Sequence, residues 1–244
     1  MTRARAGCAR RVPRLRRRRG WLLAALGGVG LACASPVTVQ STTPDPPIEI
    51  DGAYDDWQGR FTRIQGKRSA GIGVAHDDDQ VVLALVTRDL ILSAMLQRGG
   101  FTLWFDPEGG DEPALGLRIA PHEVPLEEAV TPSLEIVFDG SEYGHQLAEI
   151  APDGPVALRA AKHSDVLAYE FRVARGTALV PGGRRSNRFR FDPGPLLGLG
   201  LDVNPPQALP PSAGGGPFGG QGRGAAPEAV RLWLRVDLAP GAAR

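Results

Sequence analysis

Apolar side chains recur at every second position through most of this chain. Val81, Leu83 and Leu85 form one such series, and Phe101, Leu103 and Phe105 another. Leu117 and Ile119 continue it, followed by Leu134, Ile136 and Phe138, then Leu167, Tyr169, Phe171 and Val173. Leu197, Leu199, Leu201 and Val203 precede a last series, Val230, Leu232, Leu234 and Val236. A period of two places alternate side chains on one face of an extended strand, so each segment has one face to bury. Turn-forming residues punctuate the series at Asp51-Gly52, Asp77-Asp78-Asp79, Gly109-Gly110, Asp139-Gly140 and Asp153-Gly154. Ile91 to Arg98 has room for one or two helical turns, and no long amphipathic helix is visible. Many short strands with this punctuation predict an all-β chain folded as an antiparallel β-sandwich.

The N-terminus obeys a different rule. Nine arginines lie between Arg3 and Arg19, no acidic residue occurs among the first 32, and an apolar run follows from Trp21 to Ala32. A basic segment followed by a short apolar one is the layout of an export signal, and the run is too short for a spanning helix of roughly 20 residues. Gly30-Leu31-Ala32-Cys33 resembles a bacterial lipobox, in which the cysteine is lipidated. Its Gly30 departs from the Leu or Val preferred there. Ala32-Cys33-Ala34 also reads as an ordinary A-x-A cleavage site, which leaves a periplasmic or secreted protein as the alternative. Ala34 and Ser35 lack the aspartate associated with inner-membrane retention, so a lipidated Cys33 implies outer-membrane sorting. Setting the nine arginines aside leaves 19 basic against 27 acidic residues, net −8. That balance argues against a nucleic-acid partner, which needs Lys and Arg to neutralise phosphates. Cys8 and Cys33 are the two cysteines, so the rest of the chain has neither a disulfide nor a thiolate metal site. Pro36, Pro44, Pro46 and Pro47 among Ser and Thr make 34–47 read as an extended tether. Residues 48–240 then form a single sandwich domain. Within it, 204–228 is a Gly/Pro-rich loop before the last strand, with too little apolar surface to pack.

Ile48-Glu49-Ile50-Asp51-Gly52, followed by Asp55-Asp56-Trp57, resembles the opening of family 9 carbohydrate-binding modules and their DOMON-like relatives. The hairpin-like stretch Ala70 to Arg88, the Phe101-to-Pro107 strand ending in Asp106-Pro107, and Ala168-Tyr169-Glu170-Phe171 extend the likeness over roughly 48–239. The resemblance implies an immunoglobulin- or jelly-roll-like, DOMON-like sandwich. It implies a ligand only broadly, because such domains bind sugars or haem and a fold does not choose its function.

Four residues stand out as candidate ligand contacts. Trp104 alternates with Phe101, Leu103 and Phe105, and Trp233 with Leu232 and Leu234, so each indole lies on a polar strand face. Arg231 and Arg235 flank Trp233. Indole faces stack on sugar rings, and flanking charged groups bond hydroxyls; the plainer alternative is an indole covering the sheet beneath a stacked arginine. Trp57, beside its turn, reads as a packing residue with Asp51 and Asp55 holding backbone. His76, His122, His145 and His163 show no metal-ligand spacing. His122 and Met95 are the residue types that a haem site would need, and Asp77-Asp78-Asp79 could contribute oxygens to Ca2+, although it reads better as a solvated turn. No nucleophile-elbow, zinc-protease or thiol-nucleophile motif is present. The leading expectation is a non-catalytic envelope module with no cofactor, whose saccharide ligand is implied by the family resemblance alone. The alternatives are a lipoprotein that binds another envelope protein and, third, a haem-binding domain.

Overall fold

The computed structural model describes residues 37–64, 68–138, 146–147, 154–179, 189–205 and 227–238. The basic leader, Cys33 and most of the 204–228 loop fall outside them. In chain order the elements are β1 (Val37–Gln40), β2 (Phe61–Ile64), β3 (Ala70–His76), β4 (Gln80–Thr87), α1 (Leu90–Gly99), β5 (Phe101–Asp106), β6 (Leu115–Ile119), β7 (Ala129–Val130), β8 (Leu134–Phe138), β9 (Gln146–Leu147), β10 (Val156–His163), β11 (Val166–Ala174), β12 (Thr177–Leu179), β13 (Phe189–Phe191), β14 (Leu196–Val203) and β15 (Val230–Asp237). One sheet has seven strands in the order β1-β15-β14-β5-β6-β8-β9, the other six in the order β2-β3-β4-β11-β10-β7, and β12 and β13 form a separate hairpin. This is the expected all-β sandwich.

The alternating series supply its core. Phe101, Leu103 and Phe105 on β5, Leu197, Leu199 and Leu201 on β14, and Leu83, Leu85, Tyr169 and Phe171 from the opposite sheet are all buried in one cluster. The Phe101 ring meets Tyr169 edge-on at 4.9 Å, and Phe105 meets Phe191 at 5.4 Å, the edge-to-face geometry that aromatic quadrupoles favour. Helix α1 adds Leu92, Met95 and Leu96 to this core. Its ten residues make nearly three turns at 3.6 residues per turn, longer than the one or two expected. Asp89 caps its start by accepting from the Ile91 and Leu92 backbone N–H groups, and Gly100, at φ +67°, ends it.

One segment differs from expectation. Residues 37–40, assigned to the tether on composition, form β1, which pairs in parallel with β15, and Val39 is fully buried. The chain then changes sheets. Ser41 N–H bonds Asp237 O, whereas Thr42 N–H bonds Val74 O on β3. Ser41 Oγ donates to Asp237 O at 2.6 Å, so its contact with His76 Nδ1 at 2.9 Å is donated by the imidazole. Burial, with the Arg175 charge adding to it, lowers the His76 pKa and so favours the neutral ring. Residues Val37–Gln40 therefore already belong to the seven-stranded sheet, ahead of Ile48.

The segment after Ser41 covers the outer face of the six-stranded sheet. Trp57 is fully buried there and packs with Ile48, Ala75, Val82 and Ala84. Its indole lies against Gly73, where an added Cβ would sit 2.5 Å from Trp57 Cε3. Its Nε1–H donates to Glu170 Oε1 at 2.7 Å, while Glu170 Oε2 accepts from Gly52 N–H at 2.7 Å and Asp51 N–H at 3.2 Å. The Asp-Gly turn, the tryptophan and the Tyr-Glu strand thus form one unit joined by a single buried carboxylate. Trp57 is the packing residue the sequence indicated, and Asp51 also holds its turn by accepting from Ala53 N–H.

Burial pushes the Glu170 carboxyl up to about 7, although the Trp57 and Gly52 donors pull the other way. With the folded pKa above the unfolded one, the native state holds the extra proton. The associated stability is present below about pH 4.5 and is lost as pH rises through 7. We expect thermal unfolding temperatures to decline from pH 5 to pH 8 in the wild type. Glu170→Gln should lose that slope and be less stable by roughly 1–3 kcal/mol, because its amide turns a donor toward N–H donors. An unchanged slope in the variant would assign it to another group.

Candidate functional site

The pairing register brings the two outward tryptophans together. Gly200 on β14 is paired with Trp104 on β5 on one side and Trp233 on β15 on the other. Beyond Trp104 the same row continues to Gly116 on β6. Because Leu199 and Leu201 face the core, Gly200 faces outward with both indoles, on the face opposite the core.

The glycines are what let the rings settle. A Cβ at Gly200 would come within 2.8 Å of Trp233 Cζ2 and 3.0 Å of Trp104 Cβ. A Cβ at Gly116 would come within 2.7 Å of Trp104 Cζ3. Each indole therefore reclines on a glycine of the neighbouring strand, and both remain partly exposed. At the far end of Trp104, Nε1–H donates to Asp202 Oδ2 at 3.2 Å. The result is an aromatic strip crossing β6, β5, β14 and β15.

A charged row runs beside the strip. Glu135 on β8, Arg118 on β6, Thr102 on β5, Asp202 on β14 and Arg231 on β15 follow one another in register. Arg231 Nε lies 2.9 Å from Asp202 Oδ1, and Arg118 Nη1 lies 3.7 Å from Glu135 Oε2. Asp202 thus orders both an indole and a guanidinium. The Arg231 side chain is 78% exposed, so the pair adds little stability but remains available to a ligand. Arg235 is exposed two residues beyond Trp233 and is paired with Gly198 and Thr38. The turn after β5 closes that end: Gly110 O would sit 2.1 Å from a Cβ on Gly198. Buried Asp106 holds the turn by accepting from the Glu108 and Glu112 N–H groups.

All four sequence-selected residues, Trp104, Trp233, Arg231 and Arg235, consequently share one outer sheet face. Sequence reasoning missed Asp202 and the glycine floor. A signal existed in Gly198 and Gly200, two alternate glycines inside an apolar strand, where glycine costs stability and often marks a close approach.

The other candidates are spent elsewhere. His122 Nδ1–H donates to Ala120 O and its Nε2 accepts from the buried Tyr169 hydroxyl at 2.9 Å, and burial lowers its pKa. Met95 is fully buried in the core cluster. His122 and Met95 are thus both engaged in structural contacts. Asp77 accepts from Asp79 N–H, Gln80 N–H and Gln80 Nε2, which makes it the organiser of the β3–β4 turn. Among the described residues no group of three or more His, Cys, Asp or Glu is placed to hold a metal ion.

No protein-family model and no curated protein matches the chain. Among solved structures it is similar to a family 9 carbohydrate-binding module from Caldicellulosiruptor kristjanssonii in complex with glucose, at 12% identity and a TM-score of 0.41, over 85% of this chain and 98% of that one. A family 9 module from the same organism in complex with cellotriose aligns at 14% identity and a TM-score of 0.37, over 82% and 92%. A Bacteroides uniformis protein provisionally classed as carbohydrate-binding aligns at 8% identity and a TM-score of 0.42, over 83% and 99%.

Proposed function

We propose that the chain is a non-catalytic, saccharide-binding module of the cell envelope, using the strip formed by Trp104 and Trp233. The observation that carries this reading is the in-register Gly116–Trp104–Gly200–Trp233 row, which lays two indoles on the solvent face of one sheet. The C–H face of a pyranose stacks on such a ring without a charged partner. Beside it, the Asp202–Arg231 pair offers acceptor and donor groups to hydroxyls while cancelling its own charge, as suits a neutral polyol. We further propose export to the outer membrane with lipidation at Cys33. β1 begins at Val37, four residues beyond Cys33 in the sequence.

On a glycan array, the full-length protein should bind at least one saccharide class, and the Trp104→Ala/Trp233→Ala double variant should lose that binding by at least about tenfold, or 1.4 kcal/mol. Equal binding by a folded double variant would remove the strip from consideration. Gly200→Ala tests the floor. It should raise acrylamide quenching of indole emission as Trp233 is lifted, with a stability loss of roughly 1–3 kcal/mol from overpacking. Metabolic labelling with an alkyne fatty acid in a bacterial host should mark the wild type and not Cys33→Ser. Label persisting in the variant would exclude Cys33 as the lipidated residue.

A further inference from the structure

The six-stranded sheet carries a second recess, away from the indole strip. Its outer face is covered by the 48–60 segment at the level of Gly73 and Ala84, where Trp57 sits, but not one row further on. That row runs Arg63 on β2, Gly71 on β3, Val86 on β4 and Ala168 on β11. Here the surface forms an open groove of about 460 Å3 with Gly71 and Val86 as its floor. Tyr54 and Phe61 are its aromatic walls, and Val166 lies at the far end. Small-molecule sites usually occupy roughly 300–1,000 Å3 and pair an apolar lining with a few polar groups. From β2 to β11 is three strand spacings, about 14 Å, so the groove is elongated.

Its polar groups are unequal. Thr87 Oγ1 donates to Ser69 O and accepts from Asp89 N–H, so that hydroxyl is engaged. Arg88 faces Asp165 at 3.9 Å, and nearby Arg68 faces Asp89 at 3.7 Å. Arg63, exposed at the β2 end, has no carboxylate within ion-pair distance among the described residues. The groove therefore has an apolar trough and, at one end, a guanidinium whose charge is not offset.

We propose that this groove binds an elongated amphiphilic carboxylate, with its apolar body on Gly71 and Val86 between Tyr54 and Phe61 and its carboxylate on Arg63. Guanidinium and carboxylate match in planar, two-point geometry, and a charge-assisted bond of this kind is stronger than a neutral one. Gly71 sets the depth. A Cβ there would lie 2.9 Å from Val86 Cγ2 and 3.4 Å from Phe61 Cδ1, so any larger residue fills the trough.

The test is calorimetric titration of the full-length chain with decanoate, with 3-phenylpropionate and with the primary amide of each. One of the acids should bind more tightly than its amide, and which one does so distinguishes an acyl from an aromatic body. Arg63→Ala should lower the affinity for that acid about tenfold and leave the amide unchanged, and Arg63→Lys should restore part of the preference. Gly71→Val should weaken acid and amide alike. The leader arginines are common to every form, so a difference between forms reports on the groove. If neither acid binds, or if both bind Arg63→Ala and the wild type equally, the proposal is wrong. Should Gly71→Val fail to fold, the Arg63 pair of variants still decides the outcome.

Discussion

The outer faces of both sheets depend on the strand register that is set where the two sheets pack face to face. A strand that slips by one residue turns all its side chains to the opposite face. The apolar series on β5, β14 and β15 forbid such a slip, since it would expose Phe101, Leu103 and Phe105 together. With those residues held inward, Trp104, Gly200 and Trp233 have no choice but to face outward in a single row. The indole strip is therefore fixed by the core beneath it, and its rings rest on strands rather than on loops.

The same constraint gives opposite fates to chemically similar residues. Trp57 and Trp104 each recline on a glycine and each donate Nε1–H to a carboxylate, Glu170 in one case and Asp202 in the other. Trp57 is fully buried because the 48–60 segment that carries it folds over the sheet, and its carboxylate partner titrates near neutrality. Trp104 stays partly exposed because no segment among the described residues covers its face as 48–60 covers the other sheet, and Asp202 is shared with an exposed arginine. Burial, not the local hydrogen bond, separates a clasp from a contact surface.

This contrast also accounts for what could be read from the sequence. Strands with one covered and one open face alternate clearly, as β5 and β15 do, and those were legible along with the fold class and the outward placement of Trp104 and Trp233. β10 was not, because Gly52 packs against Ala161 on its outer side, and small apolar residues at Ala157, Ala160 and Ala161 blur the period. β1 was hidden by its setting: its single buried residue, Val39, stands among prolines and hydroxylated residues, and parallel pairing with the last strand leaves no local trace. That the two tryptophans share a face needed the strand order β15-β14-β5, which no local pattern encodes. Glu170 was legible as outward and charged, but not as buried, since its cover lies more than a hundred residues earlier in the chain.

Glycines inside strands sharpen the distinction between the two outer faces. Each costs about 0.5–1 kcal/mol in a strand interior and is kept where something else needs the space. At Gly73, Gly116 and Gly200 that something is an indole, and at Gly198 it is the Gly110 carbonyl. Gly71 is the exception. Its nearest neighbours are the tip of Val86 and the edge of Phe61, which border the groove without covering it. Four of these glycines seat the protein's own atoms, and the fifth floors a recess beside an arginine that has no carboxylate within ion-pair distance among the described residues. The indole strip, with its stacked rings beside the Asp202–Arg231 pair, and the groove, with Arg63 at the end of an apolar trough, then call for different ligands on opposite faces of one core.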